Sequence, residues 1–418
     1  MRILLYELRK IWSLKIVAAI ALLCAMYFLI FMSFYIDHSP NNPDSAADFA
    51  YCSMLTQKYG ATLEPDEFQE FLLIRDDLIK EADDFISGNP VLTGLEIQNY
   101  DELQAAIERL SKRDATEEEQ LEMDLIFEEF YFKPDDSLTR DTKILASDPS
   151  ANWVGNNITA IDHIAGRYAS VLDPSILLEN GVRGIEHLPG ADDAQRRYED
   201  MVKTEEFRAI IPGETVMYTA EYMRQLGILL VLSSLVLLAP LLTADRIKKV
   251  HHLQYSTRYG RNIVKKQFVA MLLSSAILTT ALIIVFGAIY SVNGVQVFWN
   301  SYVSSFNSYY YLSVPVTFGQ YTMIMIGLVY LLGLAVSTIA FALSRFCSNY
   351  IALIAGIIPT VIAMSMLCVY IVFNMPLNAF HAETGLALFE PIVCFVLLVI
   401  GIAISVLIVR RERKIDIV

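Results

Sequence analysis

The chain is short of charge, of cysteine and of the motifs that carry nucleotide or metal chemistry. No Gly-Lys dipeptide occurs in its 418 residues. A P-loop needs G-x-x-x-x-G-K-[ST] to wrap phosphate oxygens with backbone N–H groups, so ATP is not bound here in that manner. H-E-x-x-H, C-x-x-C and G-x-S-x-G are also missing, which removes common zinc-protease, thiol-redox and serine-hydrolase signatures. The pair His251-His252 lacks a third ligand at useful spacing, and His381 and Glu383 have no cysteine cluster to complete a zinc site. Both read as surface features with no metal or cofactor to hold. Of the five cysteines, only Cys52 lies away from the long apolar runs. A disulfide within the polar part of the chain is thereby excluded, which fits a bacterial-type exported domain folded without oxidative stapling.

Only 19% of residues are charged and 55% are hydrophobic, where a soluble chain has about 25% charged. What is present is apolar residues in blocks. Charge-free runs extend from Ile16 to Ile36, Gln225 to Ala244, Gln267 to Ser344, Phe346 to Ala382 and Pro391 to Val409. Roughly 20 apolar residues at about 1.5 Å rise cross a 30 Å hydrocarbon core. Asn293, Gly294, Asn300 and Pro315 split the third run into spans near Gln267–Val292 and Gly319–Ser344, and the fourth supplies Tyr350–Phe373. The pattern predicts an all-α polytopic membrane protein with six transmembrane helices. The first run is too long for a signal-peptide core, and Cys24 follows Ala21-Leu22-Leu23 without the small residue a lipidation site needs. It reads as a retained anchor.

Lysine and arginine orient the spans. Met1–Lys15 holds four bases against one acid, Asp245–Lys266 seven against one, and the tail after Val409 four against two. The loops Asn293–Phe318 and Met375–Glu390 have neither lysine nor arginine. The positive-inside rule then places both termini in the cytoplasm of a plasma-membrane protein. Asp37–Arg224 carries 40 acids and 16 bases, whereas the rest of the chain carries 16 bases and 6 acids. An acidic outer domain above a basic inner surface argues against a nucleic-acid partner.

The expected organisation is therefore a cytoplasmic amphipathic helix (1–15), a first span (16–36), an acidic extracytoplasmic domain (37–224), a second span (225–244), a cytoplasmic loop (245–266), four further spans (267–409) and a cytoplasmic tail (410–418). In the first segment Leu4, Leu5, Leu8, Ile11 and Trp12 share one face, suited to the membrane interface. The outer domain reads as mainly helical. Glu64-Pro65 opens a helix that Gly88 closes, and Thr116 with Glu119 forms a capping box. Tyr100–Leu110 and Ala194–Phe207 are further helices, and Pro134–Asp136 and Asp148–Pro149 mark loops. Asn157-Ile158-Thr159 matches a glycosylation acceptor, a pattern common by chance. Asn293–Phe318 has eight aromatics and no charge, which suits a segment lying at the headgroup level. No charge-free run contains a titratable pathway of the kind proton-driven carriers use, while sodium coupling through neutral oxygens stays open.

The segment Asp245–Lys266 is too polar to cross a membrane and longer than a minimal turn. Ile247, Val250, Leu253 and Tyr255 form one face of a short helix that Gly260 ends. The start YELRKIWSLK and the loop, with its acid after the second span and STRYGRNIVKK before the third, resemble the permease subunits of the ABC-2 type transporter family, in the form with a large external insert. The resemblance covers the six spans and both inner elements but not the external domain. It implies an amphipathic connecting helix at the N-terminus and a coupling helix in the loop. Asp245 stands where the family usually has Glu, and Thr257, Arg258, Gly260, Arg261 and Lys265 match the pattern leading into the third span. Val250-His251 departs from a common Gly-Thr pair.

By that resemblance Asp245, Arg246, Lys249, Leu253, Tyr255, Thr257, Arg258, Gly260, Arg261 and Lys265 form an interface with a separate cytoplasmic ABC ATPase, which holds the ATP and magnesium. The chain itself is not an enzyme and carries no cofactor. Its other partners are the lipid bilayer and a second permease subunit, identical or related, and the expected direction of transport is export. The alternative is a polytopic receptor or sensor whose acidic domain binds a ligand without transport.

Overall fold

The computed structural model describes residues 2–40, 43–111, 116–132, 142–172, 190–248, 263–307, 312–373, 376–377 and 388–414. Among them there is no strand, only two isolated antiparallel bridges, Thr62 with Ala209 and Tyr302 with Thr317. The chain forms two compact units. A membrane unit comprises Met1–Asp37, Met217–Val292 and Gln320–Val418, and an insert unit comprises His38–Val216 with Asn293–Gly319.

Six helices are long and apolar enough to cross a membrane: Leu14–Met32, Gly213–Ile247, Ile263–Asn293, Phe318–Phe346, Tyr350–Val372 and Phe389–Glu412. They make this a multi-pass, all-α membrane protein. The second helix starts earlier than its charge-free run because its first turns tolerate charge in pairs. Glu221 lies 3.2 Å from Arg224 and accepts a hydrogen bond of 2.9 Å from the Tyr35 hydroxyl. The apolar windows of the second and fourth spans are 78% and 61% buried, while those of the first, fifth and sixth are 11%, 17% and 17% buried. The former two supply the protein core, and the latter three leave side chains such as Leu29, Ile351 and Leu407 open, as a lipid-facing surface requires.

Helix approach inside the membrane unit depends on small residues. A Cβ added to Gly333 would lie 2.6 Å from Thr279 Oγ1, and one added to Gly401 would collide with Thr338. Hydroxyls close to these contacts return to helix carbonyls: Ser275 donates to Gly333 O at 2.7 Å and Ser405 to Gly401 O at 2.8 Å. Helices in hydrocarbon associate through such close packing, since lipid tails are as apolar as leucine.

The insert unit is built from helices Pro43–Tyr59, Pro65–Gly88, Tyr100–Leu110, Glu117–Ile126, Val154–Leu172 and Ala191–Thr204, with shorter turns between them. Their starts follow from local chemistry. Glu64 and Glu67 form a capping box before Pro65, the Asn99 side chain accepts from Glu102 N at 2.9 Å, and Thr116 pairs with Glu119. Ile86, Leu92, Leu103, Ile126, Phe130 and Ile158 meet in one core cluster. The helices Pro43–Tyr59 and Val154–Leu172 bury many small side chains, among them Ala46, Ala47, Ala50 and Ala160, and so give a weak periodic signal. Asn157 is buried and donates to Pro149 O at 3.0 Å, so its side chain is a structural tie and not an accessible glycosylation site.

The aromatic loop differs from expectation. Asn293–Gly319 belongs to the insert unit. Phe298 and Phe306 are 0% and 5% exposed, against Phe49 at 5.3 Å and Tyr168 at 5.1 Å between ring centroids. These rings fill a protein core instead of lying among headgroups, whereas Trp299 is 44% exposed; Tyr309 to Tyr311 fall outside the described residues. Asn307 next to them is a polar hub. Its Nδ2 donates to both Asp48 carboxylate oxygens and to Cys52 Sγ, each at 3.1 Å, and its Oδ1 accepts from Arg167. Burial pushes the Asp48 carboxyl up to about 6, against the lowering effects of Arg167, Asn307 and His163 and with a further push from Glu214. Cys52 is a free, buried thiol.

Candidate functional site

The expected coupling segment is described only at its two stems. Lys249, Leu253, Tyr255, Thr257, Arg258, Gly260 and Arg261 lie outside the described residues, as do His251, His252, His381 and Glu383. Asp245, Arg246 and Lys265 lie within them. Lys265 is exposed on the first turn of the third span.

The first stem is shaped by Pro240. Proline has no N–H and clashes with the preceding turn, so the second span breaks at Ala239 and restarts as Pro240–Ile247. The break frees backbone donors, which need partners at this depth. Ser344 Oγ, from the end of the fourth span, accepts from Leu242 N at 2.8 Å and Thr243 N at 3.3 Å. Thr243 Oγ1 donates back to Ser344 O at 3.1 Å, and Arg246 Nη1 donates to Cys347 O at 3.4 Å. A proline and a serine a hundred residues apart thus fix where the loop leaves the second span.

Asp245, one turn beyond, points inward with 6% exposure. It pairs with Lys10 of the N-terminal helix Arg2–Ile11 and accepts from Gln267 Nε2 at 3.1 Å. The same amide nitrogen donates to Glu7 Oε2 at 3.3 Å, and Glu7 is itself 2% exposed. Two carboxylates therefore share one ammonium and one amide. Burial raises the Glu7 carboxyl above its ordinary range, Lys10 and Gln267 oppose that, and Asp245 adds to it. Trp12 Nε1 donates to Ser274 Oγ at 3.1 Å, extending the contact along the third span. The N-terminal helix consequently packs by its Glu7–Ile11 face, and Leu5, expected on the apolar side, is 62% exposed.

This arrangement joins three elements: the N-terminal helix, the end of the second span and the start of the third. Both loop stems are tied to the N-terminal helix, the first through the Lys10–Asp245 ion pair and the third span's start through the Gln267–Glu7 hydrogen bond. Asp245 is occupied within the chain, while Arg246 and Lys265 keep surface. The sequence signal for this cluster is Glu7 itself, an acid in register with Leu4, Leu8 and Ile11 on a helical stripe. Among the described residues, no group of three histidines, cysteines or acids is placed to hold a metal ion.

A second ionic feature closes the fourth and sixth spans. Arg345 and Glu412, each 7% exposed, form a two-pronged pair, with Nε to Oε1 at 2.7 Å. No protein-family model, curated protein or solved structure matches this chain.

Proposed function

We propose that the chain is the permease subunit of an ABC-2 type exporter, with both termini in the cytoplasm and the loop 245–266 docked on a separate ATPase. The observation that supports this reading most is the Glu7–Lys10–Asp245–Gln267 cluster. It ties an N-terminal helix to both stems of one polar loop, as a device that transmits motion from a partner into the second and third spans would require. ATP-driven closure of the partner would push the loop, and the second and third spans would tilt together. Nucleotide would bias a two-state element through different contacts in each state.

The docking surface is assigned to this loop, with Leu253 and Tyr255 as apolar anchors and Arg258 and Arg261 as charged ones. Aromatic and arginine side chains dominate interface energetics, so Tyr255→Ala with Arg258→Ala is expected to weaken docking by about 2–4 kcal/mol. Insertion should survive, since the remaining bases still hold the loop inside. The test is whether the ATPase co-purifies with the double variant and is still stimulated by it. Unchanged binding and stimulation would remove this interface. Recruitment of no ATPase by the wild-type chain would leave the receptor or sensor reading in its place.

A further inference from the structure

The second span ends in a short arm, Pro240–Ile247, whose backbone is separate from the helix above it. Ala239 N still donates to Leu235 O at 3.1 Å, but among the described residues no backbone hydrogen bond spans Pro240. Instead Leu242 N and Thr243 N donate to Ser344 Oγ of the fourth span, at 2.8 and 3.3 Å. We propose that Ala239–Pro240 is a hinge with two states, and that Ser344 is the pin holding the bent one.

Two states follow because both sides of the pin have another partner. Proline removes the bond from its own position to Val236 O and crowds that carbonyl. It does not forbid the bonds that start two and three residues later. Once the arm straightens, Leu242 N and Thr243 N reach the carbonyls four residues back, Leu238 O and Ala239 O. Ser344 then turns to a carbonyl of its own helix. The buried hydroxyls of Ser337, Thr338 and Ser405 already do this, donating to Leu334 O, Ala335 O and Gly401 O at 2.6, 2.7 and 2.8 Å. Exchange between the states therefore leaves neither of these buried N–H groups without an acceptor, the condition under which two packings stay close in energy. The arm carries Asp245, so the hinge sets where that carboxylate stands. At about 1.5 Å per residue the arm is about 12 Å long, and straightening a bend of about 20° moves its tip by about 4 Å.

The inference is independent of the transport reading, because it is measured without any ATPase. The full chain, with its five cysteines replaced, receives a spin label at Ile247 paired in turn with one at Leu14 and one at Leu407, all exposed positions. Pulsed electron paramagnetic resonance gives the two distances. Ser344→Ala removes the acceptor and Pro240→Ala removes the break, so both variants should shift at least one distance by about 4 Å, in the same direction. The double variant should match Pro240→Ala alone. Ser344→Thr keeps the hydroxyl and should keep the reference distances. Unchanged distances in both single variants would overturn the hinge, and a shift in Ser344→Thr equal to that in Ser344→Ala would overturn Ser344 as its pin. Should Ser344→Ala fail to fold, adding Pro240→Ala should restore folding, since the freed donors then pair within a continuous helix. A double variant that also failed to fold would overturn the proposal.

Discussion

Both units bury polar groups, but they place ionised ones differently. The insert unit keeps them in its interior: Arg197 donates to Glu206 at 3.0 Å and to Leu312 O at 2.8 Å, and Asp48 lies against Asn307. In the membrane unit the helix interiors hold hydroxyls that return to carbonyls, and the ionic clusters Glu7–Lys10–Asp245 and Arg345–Glu412 stand at the helix ends. The solvent accounts for the contrast. A carboxylate that water can reach as the protein breathes is tolerated in an interior, whereas one in mid-bilayer has only protein to satisfy it. Charge in the membrane unit therefore collects where both media are available.

The largest expected effect tests whether the insert unit is complete without the distant loop. A segment spanning 38–216 alone lacks Phe298, Phe306, Leu312 and Asn307, which are buried in that unit. Each large apolar side chain lost from a core is worth about 1.5–3 kcal/mol, so this segment should be less stable by ~5 kcal/mol than one joined by a flexible linker to 293–319. Urea denaturation of both settles it. Equal midpoints would mean that the loop is a passenger.

Next in size is the Arg345–Glu412 pair. Removing one partner strands a buried charge, and Arg345→Leu or Glu412→Leu should each cost about 3–5 kcal/mol, while the double replacement should come close to the wild type. Thermal unfolding in detergent measures this. A double variant as weak as the singles would show that the site needs charge for its own sake, and would blur the contrast between the units.

The smallest effect is a pH dependence in the insert unit. The folded Asp48 carboxyl titrates near 6, above its ordinary value of 3.8. Protonation is thus favoured by folding. The stability linked to this group is fully present below about pH 4, falls as pH rises towards 6, and is flat above that. The loss is on the order of 3 kcal/mol, since the rise is about 2 pKa units and one unit corresponds to about 1.4 kcal/mol. Asp48→Asn should flatten the profile between pH 4 and 6 and stabilise the unit at pH 7. A wild-type profile that is already flat, or one that rises in this window, would contradict the burial of that carboxyl.

Much of the architecture is legible in the sequence because two signals are local. Runs of twenty uncharged apolar residues are rare in soluble proteins, and pairs such as Thr116 with Glu119 act within one turn. The rest depends on partners that local reading does not reach. Lys10 meets Asp245 across 235 positions, and Arg345 meets Glu412 across 67. The aromatic loop was ambiguous in principle, since rings destined for headgroups and rings destined for a core have the same composition. At the candidate site, the loop's place between the second and third spans and the acid at its head were legible; the inward turn of Asp245 was not, because a lone acid after a span gives no sign of which way it faces.

The split of the insert unit across the chain sets a timetable for its synthesis. His38–Val216 is translated first, yet Asp48 and Cys52 bind an asparagine, Asn307, that is made only after the second and third spans. At about 5–20 residues per second, the intervening stretch of roughly 90 residues takes about 5–20 s to emerge. For that interval every nascent copy presents an unfinished core. Chaperones and proteases have a fixed window in which to sort chains that will complete the domain from chains that will not.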